Sequence, residues 1–105
     1  MWLLLNNSYL SVVKHLGKAE TLLVRSRIQG DIERAIPTAE VYEDPSADYR
    51  YRADVPREVF KKAMEVAIDE IEYGNFKGSV KDPVRHNVYM RVWSVLADAF
   101  GAYGK

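Results

Sequence analysis

Four arginines occur as two alternating pairs, each within a strand-like stretch of the sequence. Arg25 and Arg27 lie in LLVRSRI, and Arg50 and Arg52 lie in YRYRADV. Side chains two residues apart on a strand project from the same face. A guanidinium group offers a planar fork of donors that matches carboxylate and phosphate oxygens. The spacing therefore predicts a sheet face that binds anions, with these four arginines as its charged contacts.

Two other readings of these arginines remain open. They could form an ordinary solvated sheet face, paired across strands with acids such as Glu40 and Asp54. They could also bind nucleic acid directly, as an arginine-rich sheet face. That second reading is weakened because Tyr49 and Tyr51 alternate with the arginines and are expected to face inward, whereas stacking on bases needs exposed rings.

The last apolar segment of the chain predicts a helix with a second candidate surface. Its polar residues Asn87, Arg91, Ser94 and Asp98 are spaced by four, three and four, which confines them to one line along a helix. Its large side chains cover much of the remaining circumference: Val88, Tyr89, Val92, Trp93, Val95, Leu96, Ala99, Phe100 and Tyr103. Burial within the domain would explain this pattern. The alternative is a partner or self-association surface with Tyr89 and Trp93 as anchors, because aromatic residues dominate interfaces.

Residues for catalysis or metal binding are scarce. His15 and His86 are the only histidines, there is no cysteine, and neither histidine lies in a known catalytic motif. The acids around the turn at Asp44 lack the regular alternation of a calcium loop. The sequence therefore predicts no catalytic residue, no metal site and no cofactor.

Composition and charge limit the class of protein. The 105 residues are 48% hydrophobic and 29% charged, which is typical of a folded domain with one core. Fifteen Lys and Arg balance fifteen Asp and Glu, so no global field would gather nucleic acid or an anionic membrane. No segment is long and apolar enough for a signal peptide or a membrane span. We expect a single domain over residues 1–105 in the cytoplasm.

Strand signals occupy the first half of the chain. The segments 2–5 and 9–15 form either a hairpin or one bent strand, and 22–28 alternates as a half-buried strand should. Asp31 is a candidate N-cap for a short helix that Pro37 ends. Two further strands, 40–43 and 49–55, bracket an Asp-Pro turn.

Helix signals occupy the second half. Pro56 and an apolar residue in every turn predict a helix that Gly74 caps, and a polar link follows. Asp82-Pro83 predicts the start of a final helix that runs to about Phe100. The expected fold is α+β, with a mostly antiparallel sheet of about four strands, a short helix between strand pairs, and two long C-terminal helices on one face.

Several strings also resemble a known family. LLVRSRIQGDIER, AEVYEDPSADYRYRADVPR, NFKGSV and YMRVWSVL resemble the pattern of small uncharacterised proteins of bacterial, phage and plasmid genomes, over nearly the whole chain. That family has no assigned activity. The resemblance implies a self-contained domain that travels with mobile DNA, and it supplies no catalytic residue.

The sequence thus favours a non-enzymatic module that binds another protein through Arg25, Arg27, Arg50, Arg52, Tyr89 and Trp93. By analogy with small phage proteins, the expected partner is a host defence complex of the CRISPR type or a nucleic-acid-processing complex. Direct nucleic-acid binding is the first alternative, and a small enzyme with no recognisable motif is the second. Self-association through the last helix is compatible with each of these readings.

Overall fold

A computed structural model describes residues 1–101 of the chain. The chain divides into two compact units, of which the first is Met1–Glu72 and the second begins at Tyr73. The α+β class is confirmed. The expected single domain over residues 1–105 stays a prediction, and Tyr103 lies outside the described residues.

The first unit is built on a five-stranded antiparallel sheet with the order β1-β2-β3-β5-β4. Its strands are β1 (Trp2–Leu5), β2 (Ser8–Lys14), β3 (Thr21–Ser26), β4 (Tyr42–Glu43) and β5 (Tyr51–Pro56). The expected count of about four was low because β1 and β2 are separate strands. Leu5 lies opposite Ser8, so the polar pair Asn6-Asn7 forms a two-residue turn, as its tolerance of turn conformations allows.

One face of this sheet carries the core of the first unit. Alternation along β3 turns Leu22, Val24 and Ser26 inward, as the sequence predicts. The buried apolar cluster comprises Leu10, Val12, Leu22, Val24, Ile32, Ile36, Ala53, Val55 and Phe60. The opposite face, called here the outer face, therefore carries the residues that alternate with these.

The short helix α1 (Asp31–Ala35) forms where the sequence predicts a helix, but its first residue was assigned wrongly. Gly30 is the N-cap, with a φ of 91°, and Asp31 is already helical. Glycine adopts this left-handed conformation without steric cost. Asp31 is fully buried, where its carboxylate accepts a hydrogen bond from the Tyr9 backbone N–H at 2.8 Å and pairs with Arg34.

Helix α2 (Arg57–Asp69) begins after Pro56 as expected and ends before the predicted cap at Gly74. Phe60 is buried in the core, and Ala63 and Met64 pack against it. Val66 and Ile68 are exposed. Because tertiary packing supplies most of the stability of a short helix, the loss of burial beyond Met64 is consistent with the early end.

The second unit contains α3 (Phe76–Ser79) and α4 (Pro83–Phe100). The link before Asp82 is therefore partly helical, because the Asn75 side chain caps α3 by accepting from the Gly78 N–H at 3.2 Å. Asp82 caps α4 in the predicted way, through the Arg85 N–H at 2.8 Å. The placement of α4 over the same sheet face as α2 stays a prediction. Among the described residues, no helix has both the length and the apolarity needed to cross a membrane.

Candidate functional site: the outer face of the sheet

Five residues lie in register across all five strands of the sheet. Trp2 pairs with Ser11, Ser11 with Arg25, Arg25 with Arg52, and Arg52 with Tyr42. Residues directly opposite one another on antiparallel strands share a face, so this set, called here the arginine row, crosses the outer face. Four strand spacings of about 4.8 Å give it a length of roughly 19 Å.

Exposure varies along the arginine row. Trp2 and Tyr42, at its two ends, are 71% and 46% exposed, respectively. Arg25 and Arg52 are half-buried, and Ser11 is buried and accepts a hydrogen bond from Arg25 Nη2 at 2.7 Å. The row therefore offers two accessible aromatic rings with two guanidinium groups between them.

Tyr49 joins the arginines instead of facing away from them. The Cζ atoms of Arg25 and Arg27 lie 4.7 and 4.4 Å from the centre of its ring, which is the geometry of cation–π contacts. Tyr49 lies in a bend before β5, so the alternation that turns Tyr51 toward the core does not extend to it. Tyr49 is buried, as expected, but the prediction that it lies apart from the arginines was wrong for this reason.

Three of the four predicted arginines have no acidic partner among the described residues. Arg25 donates to Ser11, Arg27 donates to the Asp48 carbonyl at 3.0 Å, and the Nε of Arg52 donates to the Tyr49 carbonyl at 3.1 Å. All three acceptors are neutral. The Nε of Arg25 is buried and has no hydrogen-bond partner. Among the described residues, therefore, no carboxylate pairs with these guanidinium groups, and Arg25 has an unused donor.

Arg50 differs from the other three arginines. Its Nη2 lies 3.1 Å from a carboxylate oxygen of Glu43, so that its charge is paired within the β4–β5 hairpin. The expectation that acids pair with the arginines thus applies to Arg50, through Glu43. Its charge is therefore the least available to a partner.

The pKa of the Tyr49 phenol reflects its hydrogen bonds and the nearby charge of Arg27. A hydrogen bond with the Tyr9 side chain lowers the pKa of Tyr49 below its ordinary value, and Ser11 and the charge of Arg27 act in the same direction. Burial opposes this effect, since Tyr49 is only 7% exposed. The lowered pKa shows that the environment of this hydroxyl favours negative charge.

Asp54 is the acid of the outer face, and its contacts are with side chains other than the arginines. Lys18 Nζ lies 2.7 Å and His15 Nε2 3.4 Å from its carboxylate, and the Tyr42 hydroxyl donates to it at 3.2 Å. The hydrogen bond from Lys18 is the largest cause that lowers the pKa of Asp54. Because Asp54 is already satisfied in this way, it leaves Arg25 and Arg52 unneutralised.

The two aromatic anchors predicted on α4 have different surroundings within the second unit. Tyr89 is 6% exposed and stacks on Phe76, with ring centres 5.9 Å apart. Trp93 is 51% exposed, and Lys77 Nζ lies 4.2 Å from the centre of its ring. Trp93 is accessible to a partner, whereas Tyr89 packs within its own unit.

The sequence alone did not indicate several residues of the outer face. Trp2, Tyr42 and Ser11 carry no local signal, because their places depend on pairing between strands that are distant in the chain.

Among the described residues, no group of three or more His, Cys, Asp or Glu is arranged to hold a metal ion. Comparison of the chain with protein-family models, curated proteins and solved structures finds no match.

Proposed function

We propose that this chain is a non-enzymatic interaction module that binds an acidic surface of another protein through the arginine row together with Arg27 and Tyr49. The observation that carries the proposal is the set of three arginines, Arg25, Arg27 and Arg52, that contact only neutral oxygens. A carboxylate that enters this face would gain charge-assisted hydrogen bonds that the folded chain does not itself supply. Tyrosine, tryptophan and arginine are also the residue types that contribute most to binding at protein interfaces.

The charge balance favours a protein partner over nucleic acid. Residues 1–72 contain ten Lys and Arg against thirteen Asp and Glu, so the positive outer face belongs to a unit that is acidic overall. A polyanion several turns long would meet that net negative charge, whereas a compact acidic patch on a protein meets only the arginines. The complementary partner surface is about the length of the arginine row and combines carboxylates with apolar contacts for Trp2 and Tyr42.

The biological setting is part of the same proposal. The resemblance of several strings to small proteins of bacterial, phage and plasmid genomes is the ground for proposing membership of that family. A module of this kind, acting in the bacterial cytoplasm, would block a host defence complex of the CRISPR type or a nucleic-acid-processing complex by covering an acidic surface on it.

Direct nucleic-acid binding is the second candidate function, and one observation favours it. Trp2 and Tyr42 are exposed aromatic rings in register with Arg25 and Arg52. Bases stacked on the rings and phosphates bound by the arginines would use the same row. Its signature is an affinity that falls steeply with salt, because each neutralised phosphate releases counterions.

The test is an affinity pull-down from bacterial lysate, with and without nuclease treatment, with three forms of the tagged full chain. The first is wild type, the second is Arg27→Gln with Arg52→Gln, and the third is Lys61→Gln with Lys62→Gln on the exposed side of α2. The two variants lose the same charge. We expect one protein partner to be retained by wild type and by the lysine variant and to be lost by the arginine variant.

Each other outcome counts against the proposal. A partner retained equally by all three forms would remove the arginines from the interface. The nucleic-acid alternative would be favoured by two results together. A partner would be recovered only from lysate without nuclease treatment, and the chain would bind a purified single-stranded oligonucleotide with an affinity that falls steeply with salt.

A further inference from the structure

An apolar stripe runs along one side of α4. It consists of Val88, Val92, Val95 and Ala99, whose spacings of four, three and four keep them on one side of a helix. Val88 is 47% and Val95 64% exposed, and Ala99 is also exposed. This valine stripe has the pattern of a helix–helix seam, since a repeat averaging 3.5 residues keeps the same side in contact with a partner helix.

Two opposite charges border the valine stripe on the same side. Arg91 and Asp98 are seven residues apart, so they occupy nearly the same angular position two turns apart along the helix. Both are exposed, and neither forms an ion pair among the described residues. At this spacing they are too distant from each other to pair within one helix.

We propose that the valine stripe binds the same stripe of a second copy of this chain, with the two α4 helices antiparallel. A two-fold axis between Ser94 and Val95 would then place Arg91 beside Asp98 of the second copy, and Asp98 beside its Arg91. Flanking residues on the same side of the seam meet one another in an antiparallel pair, so one two-fold operation forms both ion pairs.

The charges select this orientation over the parallel one. In a parallel pair with the helices in register, a residue that flanks one side of the seam meets the residue five positions along that flanks the other side, so Arg91 would face Leu96 and meet no opposite charge. In the antiparallel pair both contacts are attractive. The apolar residues agree with this register, because Val92 lies near Val95 of the second copy and Val88 lies near its Ala99.

The size of the seam determines the strength that we expect. From Val88 to Ala99 the helix rises about 16 Å. A seam of this length buries less than the roughly 800 Å² per partner of a standard interface, so the dimer should form reversibly at micromolar to millimolar concentration. The dimer needs no other protein and no residue of the arginine row, so this inference is independent of the proposed function.

The test is sedimentation equilibrium of the purified full chain from about 1 μM to about 1 mM. Arg91→Asp alone and Asp98→Arg alone should each weaken the dimer about tenfold, because each replaces two attractive contacts with two repulsive ones. The double variant with both changes should recover the wild-type affinity. Lys62→Glu, a charge reversal on α2, is the control and should leave the affinity unchanged.

Far-ultraviolet circular dichroism of each variant checks that the helices remain folded. Recovery in the double variant supports the antiparallel pair, because in a parallel pair these two positions do not face each other and the single reversals would not weaken the dimer. A chain that is monomeric at every concentration overturns the proposal. A dimer whose affinity is unchanged in both single variants overturns it as well.

Discussion

Arg25 and Arg52 lie directly opposite one another on β3 and β5, and neither has an acidic partner among the described residues. Like charges placed opposite each other across an antiparallel pair destabilise the fold. The first unit therefore carries a local strain on its outer face that a bound anion would relieve.

This relationship predicts a repulsive coupling that a double-mutant cycle can measure. Arg25→Gln, Arg52→Gln and the double variant should give a coupling free energy of about 0.5 kcal/mol in the repulsive sense, from urea unfolding. Arg50→Gln with Glu43→Gln is the matched cycle on the neighbouring hairpin, and its coupling should be attractive, at roughly 0.2 to 1 kcal/mol. An attractive or zero coupling for the first pair would contradict the absence of a neutralising group.

Asp31 should be the most sensitive carboxylate of the first unit. It is fully buried, accepts from the Tyr9 N–H, and pairs with Arg34, so it ties α1 to β2. Asp31→Ala should lower the free energy of unfolding by about 2 to 4 kcal/mol, because it leaves a backbone donor unsatisfied and a cation unpaired. Glu33→Ala, on the exposed side of the same helix, should change it by less than about 0.5 kcal/mol in the same urea experiment. Equal effects would exclude this role for Asp31.

Asp54 should make stability depend on pH in the acid range. Its pKa in the folded chain is lowered from the ordinary 3.8, chiefly by the hydrogen bond from Lys18. A lowered folded pKa contributes stability that is present above pH 3.8 and is lost as the pH falls through the folded value. The difference in unfolding free energy between wild type and Asp54→Asn should therefore shrink on acidification.

Chemical denaturation at a series of pH values measures that difference. Asp69→Asn, which removes one exposed carboxylate from α2, is the control for the change in net charge. A difference between wild type and Asp54→Asn that grows as the pH falls would have the wrong sign and would disprove the assignment.

Tyr49 and Tyr42 should have opposite effects on stability in the alkaline range. Hydrogen bonding with the Tyr9 side chain, followed by Ser11 and the charge of Arg27, lowers the pKa of Tyr49 below 10.0, whereas burial and then the hydrogen bond to Asp54 raise the pKa of Tyr42 above 10.0. A lowered pKa in the folded chain contributes stability that grows as the pH rises from the folded pKa toward 10.0. A raised pKa contributes stability that is lost as the pH rises past 10.0.

Two matched hydroxyl deletions test these signs. Relative to Tyr49→Phe, the wild type should gain stability as the pH rises, and relative to Tyr42→Phe it should lose stability. Ultraviolet titration of the folded forms should show that Tyr49→Phe removes a phenol that ionises early. Curves of the same sign for the two variants would contradict the different environments of these rings.

Local patterns were sufficient for much of the fold. The alternation in LLVRSRI determined that Val24 faces the core and Arg25 faces away, because the side-chain period of a strand depends only on its own backbone. Asp82-Pro83 determined the start of α4 for an equally local reason, since a cap needs only its own first turn. The early end of α2 was not predictable in this way, because it depends on what lies beneath the helix.

The tertiary structure determines which residues come together in the candidate site. The sequence by itself determined that Arg25 and Arg52 project from strand faces that do not form the core, whereas Arg27, expected on the same strand as Arg25, lies in a bend just beyond β3. That Arg25 meets Arg52, and that Trp2 and Tyr42 end the same row, depends on the register between strands that are distant in the chain, such as β3 and β5. The place of Tyr49 depends on a bend that breaks the alternation. Register and bends follow from the packing of the whole sheet, and no short stretch of sequence contains that information.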